Sequence, residues 1–247
     1  MRMKDTNCLV DIHQHIVFGV DDGAKSLDMS FDMVRSAAEQ RVSVITCTAH
    51  TSVGRHEVDA EKYNRHFSEL EERIMVNQIP VRLMRGAEIM YTEKTLKAIR
   101  TGSIPCLGNG RYVLVEFMPN ATFELIRSAV GELTYNNIGV VLAHTERYSA
   151  LNDLSRIEEL KEAYGAVIQM NASTVFTAGR ILPLSGVRIH RMLREQIVDI
   201  VASDAHDTKN RVCNMHAAFD FLCAKYGEEC ALKLCRETPL EILDIDG

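Results

Sequence analysis

The 247-residue sequence predicts an α/β fold in which short strands of a parallel sheet alternate with longer helices. Short β-branched runs recur along the chain, and the segments between them have the 3.6-residue period of amphipathic helices. A third observation is that histidines and carboxylates gather just after the apolar runs. Together these patterns favour repeated βα units with polar side chains at one end of the sheet.

Seven predicted strands cover residues 8–12, 42–48, 81–87, 112–117, 139–143, 167–170 and 197–202. Predicted helices lie between them at 29–40, 60–77, 93–100, 123–135, 154–164 and 189–194, and two more follow at 212–226 and 228–236. Each helix carries charges on one face and Leu, Ile, Val or Ala on the other. Because no repeat and no Gly-, Ser- or Pro-rich linker interrupts this order, we expect residues 1–247 to form a single domain.

Composition narrows the class of protein. The chain is 46% hydrophobic and 25% charged, which is the balance of a globular protein. Its net charge of -6 and pI near 5.9 argue against a nucleic acid or anionic membrane partner, since both attract basic surfaces. The N-terminal residues lack an apolar signal segment, and no apolar run approaches the roughly 18 residues of a membrane span. We therefore expect a cytoplasmic protein, and the odd number of seven cysteines suits reduced thiols.

Eight histidine and carboxylate side chains lie at the C-terminal ends of predicted strands. They are His13, His15, His50, Glu88, Glu116, His144, Asp204 and His206. In a barrel of βα units, this rim is where side chains from different strands converge and where active sites lie.

The pair His13 and His15 can point to one side, because side chains alternate along a strand. Alone, such a pair is equally well explained by hydrogen-bonded polar residues at a loop entrance. However, Asp204 and His206 repeat the spacing at the last strand. Clustered imidazoles and carboxylates are costly to bury without a cation, so the set predicts a metal cluster. Ligands of this kind, without thiolate, suit Mn²⁺, Fe²⁺ or Zn²⁺.

Several motifs have an order and spacing that we recognise. They are DIHQHI followed by DDG within residues 11–23, TAH at 48–50, GAEI at 86–89, YVLVEF at 112–117, LAHTERY at 142–148 and VASDAHD at 201–207. They resemble the PHP (polymerase and histidinol phosphatase) superfamily. More narrowly, they are similar to its bacterial capsular-polysaccharide branch of manganese-dependent protein-tyrosine phosphatases. The resemblance runs from about Leu9 to the C terminus.

The resemblance implies a distorted (β/α)7 TIM-like barrel, the PHP fold, that holds two to three divalent metals, Mn²⁺ in the first place. It implies nine metal ligands, namely His13, His15, Asp22, His50, Glu88, Glu116, His144, Asp204 and His206. In this interpretation the histidine pair begins the cluster, and Asp22, held by a turn at Gly23, returns to it.

The implied reaction is phosphotyrosine hydrolysis. Bound metals lower the pKa of water from 15.7 towards ~7, so that a hydroxide can attack phosphorus in line. Arg147 and Arg211 resemble the phosphate-binding arginines of the family, and a guanidinium fork fits two phosphoryl oxygens. For Arg147, the alternative is a surface salt bridge with neighbouring Glu146. A tyrosinate, with a pKa of about 10, needs little help to leave, for instance from a metal or from the rim imidazole of His206.

The resemblance also implies a partner, a bacterial tyrosine kinase of capsular or exopolysaccharide synthesis that presents a phosphotyrosine-rich C-terminal tail. Two positions depart from the family pattern. Thr51 follows His50 where many relatives have another basic residue or histidine, so Arg55 or His56 is an alternative substrate contact. Ala24 replaces a proline that often follows DDG.

Other functions fit parts of the pattern. A small-molecule phosphoesterase such as a histidinol-phosphate phosphatase would share the ligands, and a non-catalytic metal-binding regulatory protein would keep the barrel. An amidohydrolase also begins with HxH, but it needs a lysine at a strand end, whereas the fourth strand closes with Glu116. A cysteine phosphatase would use a C-x5-R loop, and the formal match from Cys230 to Arg236 instead has the apolar pattern of a helix.

Overall fold

Parallel strands form the centre of the structure, a computed structural model that describes residues 8–177 and 183–245. The strands within these ranges are β1 (Leu9–Gln14), β2 (Val42–Cys47), β3 (His50–Thr51), β4 (Arg82–Arg85), β5 (Glu88–Met90), β6 (Tyr112–Glu116), β7 (Gly139–Leu142), β8 (Val167–Asn171) and β9 (Ile200–Ala202). Every strand pairing is parallel, with one sheet in the order β1-β2-β4 and a second in the order β3-β5-β6-β7-β8-β9.

The two sheets are parts of one barrel. β3 continues β2 after a short break, and β5 continues β4 after a break at Gly86, where an added Cβ would lie 2.7 Å from Thr46 Cγ2. Along the remaining seam, His15 N–H donates to Ala205 O and Asp204 N–H donates to His13 O, each at 2.9 Å. The nine strands therefore occupy seven barrel positions, and the predicted distorted (β/α)7 barrel is confirmed.

Helices surround this barrel. They are α1 (Leu27–Glu39), α2 (Ala60–Val76), α3 (Thr95–Arg100), α4 (Phe123–Tyr135), α5 (Leu154–Tyr164), α6 (Ala172–Thr177), α7 (Pro183–Arg194), α8 (Met215–Tyr226), α9 (Glu228–Leu232) and α10 (Thr238–Leu243). The starts of several follow from capping: Ser26, Asp59 and Thr122 each accept a hydrogen bond from the first turn of α1, α2 and α4. These are among the helices that the amphipathic pattern predicts.

The structure departs from the predicted elements in a few places. The strand predicted at 81–87 is shorter, since β4 ends at Arg85, and β5 begins at Glu88 outside the predicted range. The strand predicted at 197–202 begins at Ile200, and α6 and α10 have no predicted counterpart. Two single 3₁₀ turns, at Thr145–Arg147 and Ser149–Leu151, connect β7 to α5. The helix predicted at 228–236 is α9 followed by a π-helical turn at Lys233–Glu237. None of the helices in the described ranges is long and apolar enough to span a bilayer.

The C-terminal helix α10 closes the end of the barrel where the strands begin. Leu240, Ile242 and Leu243 belong to the same buried cluster as the barrel-lining side chains of β1, β6 and β7. Asn109, just before β6, donates its N–H to Leu243 O at 3.0 Å. The predicted metal-ligating side chains therefore lie at the opposite end of the barrel, where the strands finish.

Leu243→Ala should destabilise the fold by about 2–5 kcal/mol, because it leaves a cavity under a fully buried side chain. Urea unfolding measures this change. The control Val187→Ala, at a side chain that is 63% exposed, should change the free energy of unfolding by no more than about 0.5 kcal/mol. Equal stability of the Leu243→Ala and wild-type proteins would contradict the closing role of α10.

Candidate metal centre

A bulge in β1 aims the first two histidines into the barrel. Val10 and Ile12 pack in the barrel interior, so strict alternation would place Gln14 on that side and His13 on the other. The pairing with β2 shifts between Asp11 and Gln14, where three steps along β1 match two along β2. Bulges commonly redirect side chains next to active sites. Here the bulge leaves His13 Nε2 and His15 Nε2 3.2 Å apart, on one side as predicted.

The structure brings the nine predicted ligands into one cluster. Three groups in it each present ligand atoms within 4.8 Å of one another: His13, His15, Glu88 and Asp204; His50, Glu88 and Glu116; and His15, Asp22, His50 and His206. His144 joins the second group, since its Nε2 lies 2.8 Å from Glu88 Oε1 and 3.5 Å from Glu116 Oε2. Shared members connect the three groups, so neighbouring cations would share ligands.

Glu88 is the centre of this cluster. Its Oε2 lies 3.2 Å from the Nε2 atoms of His13 and His15 and 3.0 Å from Nδ1 of His50. Although these distances are short, the oxygen is buried and accepts no hydrogen bond. His206 Nε2 is likewise buried and makes no hydrogen bond. Convergent ring nitrogens around a carboxylate oxygen that accepts no hydrogen bond suit Mn²⁺, Fe²⁺ or Zn²⁺, so the residues fit the implied metals.

The electrostatics of the cluster show how strongly its members interact. Burial alone would raise the pKa of the Glu88 carboxyl, but His13, His144 and His15 hold it well below its usual range. Burial would lower the pKa of His50, but the nearby carboxylates of Glu116 and Glu88 raise it to about 10. The buried carboxylates and the neighbouring imidazoles therefore each stabilise the charged form of the other.

Asp21 is a functional residue that the sequence interpretation missed in favour of its neighbour Asp22. Asp21 Oδ2 lies 2.7 Å from His15 Nδ1 and accepts the N–H of His50, while Oδ1 accepts the N–H of Gly23. Gly23 approaches β1 so closely that an added Cβ would lie 2.1 Å from His15 O. Ligating histidines usually donate their second N–H to a carboxylate, and that rule is the signal that could have identified Asp21.

Asp22 lies at the mouth of the cluster with a side chain that is 62% exposed. Its Oδ1 is 3.5 Å from His50 Nε2 and 3.3 Å from His206 Nε2. The turn that Gly23 permits therefore does return Asp22 to the histidines.

Tyr148 is a second residue whose contact the sequence interpretation missed. Its buried hydroxyl lies 3.4 Å from His144 Nδ1 and accepts the N–H of Phe117.

Two arginines flank the same carboxylate at the mouth. Arg147 Nη2 donates to Asp204 Oδ2 at 2.8 Å, and Arg211 Nη2 donates to Asp204 Oδ1 at 2.9 Å. Their side chains are 44% and 40% exposed. Arg147 does not pair with Glu146, which was the alternative interpretation. Glu146 Oε1 instead accepts hydrogen bonds from the backbone N–H of Asn171 and from the Thr174 hydroxyl. Both guanidinium groups therefore face the cluster.

The loop after β3 is open to solvent. Arg55 and His56 are exposed, and a reciprocal pair of backbone hydrogen bonds between Ser52 and His56 closes the turn. A substrate contact by either residue stays a prediction.

The sequence matches the family described as "Capsular polysaccharide synthesis, CpsB/CapC" over residues 9–244. The chain belongs to this family. It is 33% identical to the tyrosine-protein phosphatase CpsB of Streptococcus pneumoniae over 239 residues, which cover 95% of this chain and 98% of that relative. The predicted membership of the capsular-polysaccharide branch is thereby confirmed.

Solved structures agree with the fold. The chain superposes with a TM-score of 0.85, at 24% identity and with 96% of each chain covered, on a structure from a crystallographic study of YwqE from Bacillus subtilis and CpsB from Streptococcus pneumoniae, described as unique metal-dependent tyrosine phosphatases. A histidinol phosphate phosphatase from Lactococcus lactis, complexed with zinc, L-histidinol and phosphate, matches with a TM-score of 0.57 at 11% identity, over 90% of this chain and 93% of that one. At these identities the likeness shows a shared fold.

The formal C-x5-R match lies in helical structure. Cys230 belongs to α9, and the segment continues through the π-helical turn to Arg236. Burial raises the pKa of the Cys230 thiol, which makes it a poor nucleophile. The side chain lines a separate cavity of about 270 Å³ with Tyr226 and Lys233. As the apolar pattern predicted, this segment does not form a phosphate-cradling loop.

Cys230→Ser should keep a nearly normal kcat, because the thiol lies outside the ligand cluster, and should lose at most some stability through altered packing. The measurement is steady-state turnover of a phosphotyrosine peptide by the metal-loaded variant, beside Cys223→Ser as a matched half-buried control. A folded, metal-loaded Cys230→Ser protein without turnover would mean that the thiol takes part in the reaction.

Proposed function

We propose that the protein is a metal-dependent protein-tyrosine phosphatase whose nine clustered ligands bind two to three divalent cations, with Mn²⁺ as the preferred ion. Its relatives in the family are tyrosine-protein phosphatases. The observation that carries the proposal is Glu88 Oε2, a buried oxygen that accepts no hydrogen bond although three ring nitrogens lie 3.0–3.2 Å away. When bound, the cations activate water as a nucleophile and neutralise charge on the phosphoryl oxygens.

The arginines bind the phosphoryl group. Each guanidinium offers five N–H donors, and the bonds to Asp204 use only some of them. Both side chains are partly exposed, at 44% and 40%, so the remaining donors are accessible at the mouth of the cluster. A phosphoryl group between Arg147 and Arg211 would therefore be held from two sides at the mouth of the ligand cluster. Asp204, which orients both arginines, links phosphate binding to the ligand cluster.

The geometry of His206 favours its role as a ligand over the alternative role of helping the leaving group. Burial, with help from nearby His15 and Arg211, lowers the pKa of His206 to about 4, so the ring is neutral near pH 7. Its Nδ1 donates to Asp204 O at 3.0 Å, which leaves the lone pair of Nε2 facing the cluster. A tyrosinate leaving group, with a pKa of about 10, departs without a strong acid.

Phosphotyrosine proteins are the substrates. The capsular-polysaccharide family supports a role in capsule or exopolysaccharide synthesis, with the phosphotyrosine-rich C-terminal tail of a bacterial tyrosine kinase as the proposed partner. A flexible tail is a suitable substrate, because the phosphate must reach ligands that are almost fully buried, such as Asp204 and His206. We place this activity in the cytoplasm and in one catalytic domain.

A small-molecule phosphatase is the second candidate, because a histidinol phosphate phosphatase shares the fold. Steady-state hydrolysis of a phosphotyrosine peptide and of histidinol phosphate, with Mn²⁺ supplied, separates the two. The proposal requires the higher kcat/KM on the peptide.

Chelation should abolish activity, and Mn²⁺ should restore it best, because the proposed nucleophile is a water that the bound cations activate. His13→Ala should lose metal and activity together, whereas His216→Ala, at a histidine paired with Asp220 on α8, should keep both. Elemental analysis and phosphotyrosine hydrolysis are measured on the same samples. Full activity in EDTA with no metal left in the protein would refute the proposed mechanism.

Arg147→Ala should retain full metal content but lose on the order of 2 to 4 kcal/mol in kcat/KM, comparable to removing one preorganised charge-stabilising donor. Arg147→Lys should recover only part, since an ammonium lacks the planar fork. Arg127→Ala, which removes an exposed pair with Glu159, is the matched control and should be neutral. If the Arg147→Ala drop came with metal loss, Arg147 would support the cluster and not the phosphate.

A further inference from the structure

Strand β8 contributes none of the nine predicted ligands, yet two of its side chains are buried among them. Gln169 is fully buried and Asn171 is 2% exposed. Burying a primary amide is costly unless its donors and acceptors find partners. The partners of these two amides are all groups of the metal cluster or each other.

The orientation of the Gln169 amide follows from one contact. The backbone N–H of His144 can only donate, and it lies 2.8 Å from Gln169 Oε1, so that atom must be the oxygen. The same oxygen lies 3.3 Å from His13 Nδ1. His13 Nδ1 must therefore carry a proton to make this contact favourable. In the neutral ring, Nε2 then keeps its lone pair, and Nε2 is the atom that faces Glu88 and Asp204.

The orientation of the Gln169 amide also fixes the orientation of the Asn171 amide on the same strand. Gln169 Nε2 donates to Asn171 Oδ1 at 2.8 Å. Because this contact fixes the oxygen of Asn171, its Nδ2 is the atom that donates to Asp204 Oδ2 at 2.9 Å. Asp204 Oδ2 also accepts from Arg147. One backbone N–H at His144 thus sets the direction of a chain of hydrogen bonds that ends on the carboxylate between the two arginines.

We propose that Gln169 and Asn171 are positioning residues that select the Nδ1–H form of His13 and fix the rotamer of Asp204 for cation binding. The proposal rests on the function proposed above. Amides suit this position because they are neutral, whereas Glu88, Glu116 and Asp204 already supply negative charge. A carboxylate at position 169 would also be unable to donate to Asn171, which would break the direction of the chain.

The first test is metal affinity in neutral variants of similar size. Gln169→Met and Asn171→Leu should each weaken Mn²⁺ binding tenfold or more, as loss of a group that orients a ligand does. The double variant should lose less than the product of the two single effects, because either change already breaks the chain. Gln40→Met removes an amide that donates to Cys213 O away from the cluster, and it should leave Mn²⁺ affinity unchanged.

The second test does not need these variants to fold. Two-dimensional ¹⁵N NMR of histidine-labelled wild-type protein, loaded with diamagnetic Zn²⁺, identifies the protonated ring nitrogen of His13. We expect a proton on Nδ1, and a proton on Nε2 would overturn the proposal. Mn²⁺ affinity within twofold of wild type in folded Gln169→Met would also overturn it while leaving the phosphatase function intact. A wild-type protein that binds neither metal would instead refute the proposed function, and this inference with it.

Discussion

A carboxylate that is fully buried against several imidazoles is the constraint on which the rest of this molecule depends. Glu88 lies inside the barrel mouth with three ring nitrogens around one of its oxygens. In a low-dielectric interior, such groups repel or lose hydration without compensation unless protons or cations lie between them. The fold must hold these side chains close before any cation binds, and its irregular features occur where that requirement is greatest.

The backbone departs from regular geometry at the ligands themselves. The bulge in β1 precedes His15, and the breaks in β2–β3 and β4–β5 come directly before His50 and Glu88. His144 and Asp204 have positive φ angles of 32° and 55°, which are uncommon for residues with a Cβ. Each such conformation costs of order 1–3 kcal/mol and persists only where surrounding contacts hold it. Here these contacts include the N–H bonds from His144 to Gln169 and from Asp204 to His13.

Strand periodicity and clustered ionisable residues are local signals, and they predicted the alternating βα units and the polar side chains at the ends of the strands. The (β/α)7 barrel itself was implied by the resemblance to the family. The sequence did not predict what depends on distant partners. Asp21 and Asp22 are neighbours of equal chemistry, and only the tertiary turn shows that Asp21 contacts His15. In the sequence, Gln169 is indistinguishable from an ordinary strand residue, because its amide is neutral and does not mark it as a member of an ionisable cluster. The helix α10 is short and contains Pro239 at its start, so its closing role was not visible either.

Closure of the barrel also sets an order of events during synthesis. Asp11 Oδ1 accepts the N–H of Ser203, a contact between residues 192 positions apart, and the helix that covers the barrel floor ends at Leu243. His13 and His15 leave the ribosome early, but their partners Asp204 and His206, which come after β9, follow only after all the strands have been made. Contacts of such long sequence separation form slowly, because loop-closure entropy must be overcome first. The nascent chain therefore carries exposed histidines without a complete cation site until the last strand and helix are released.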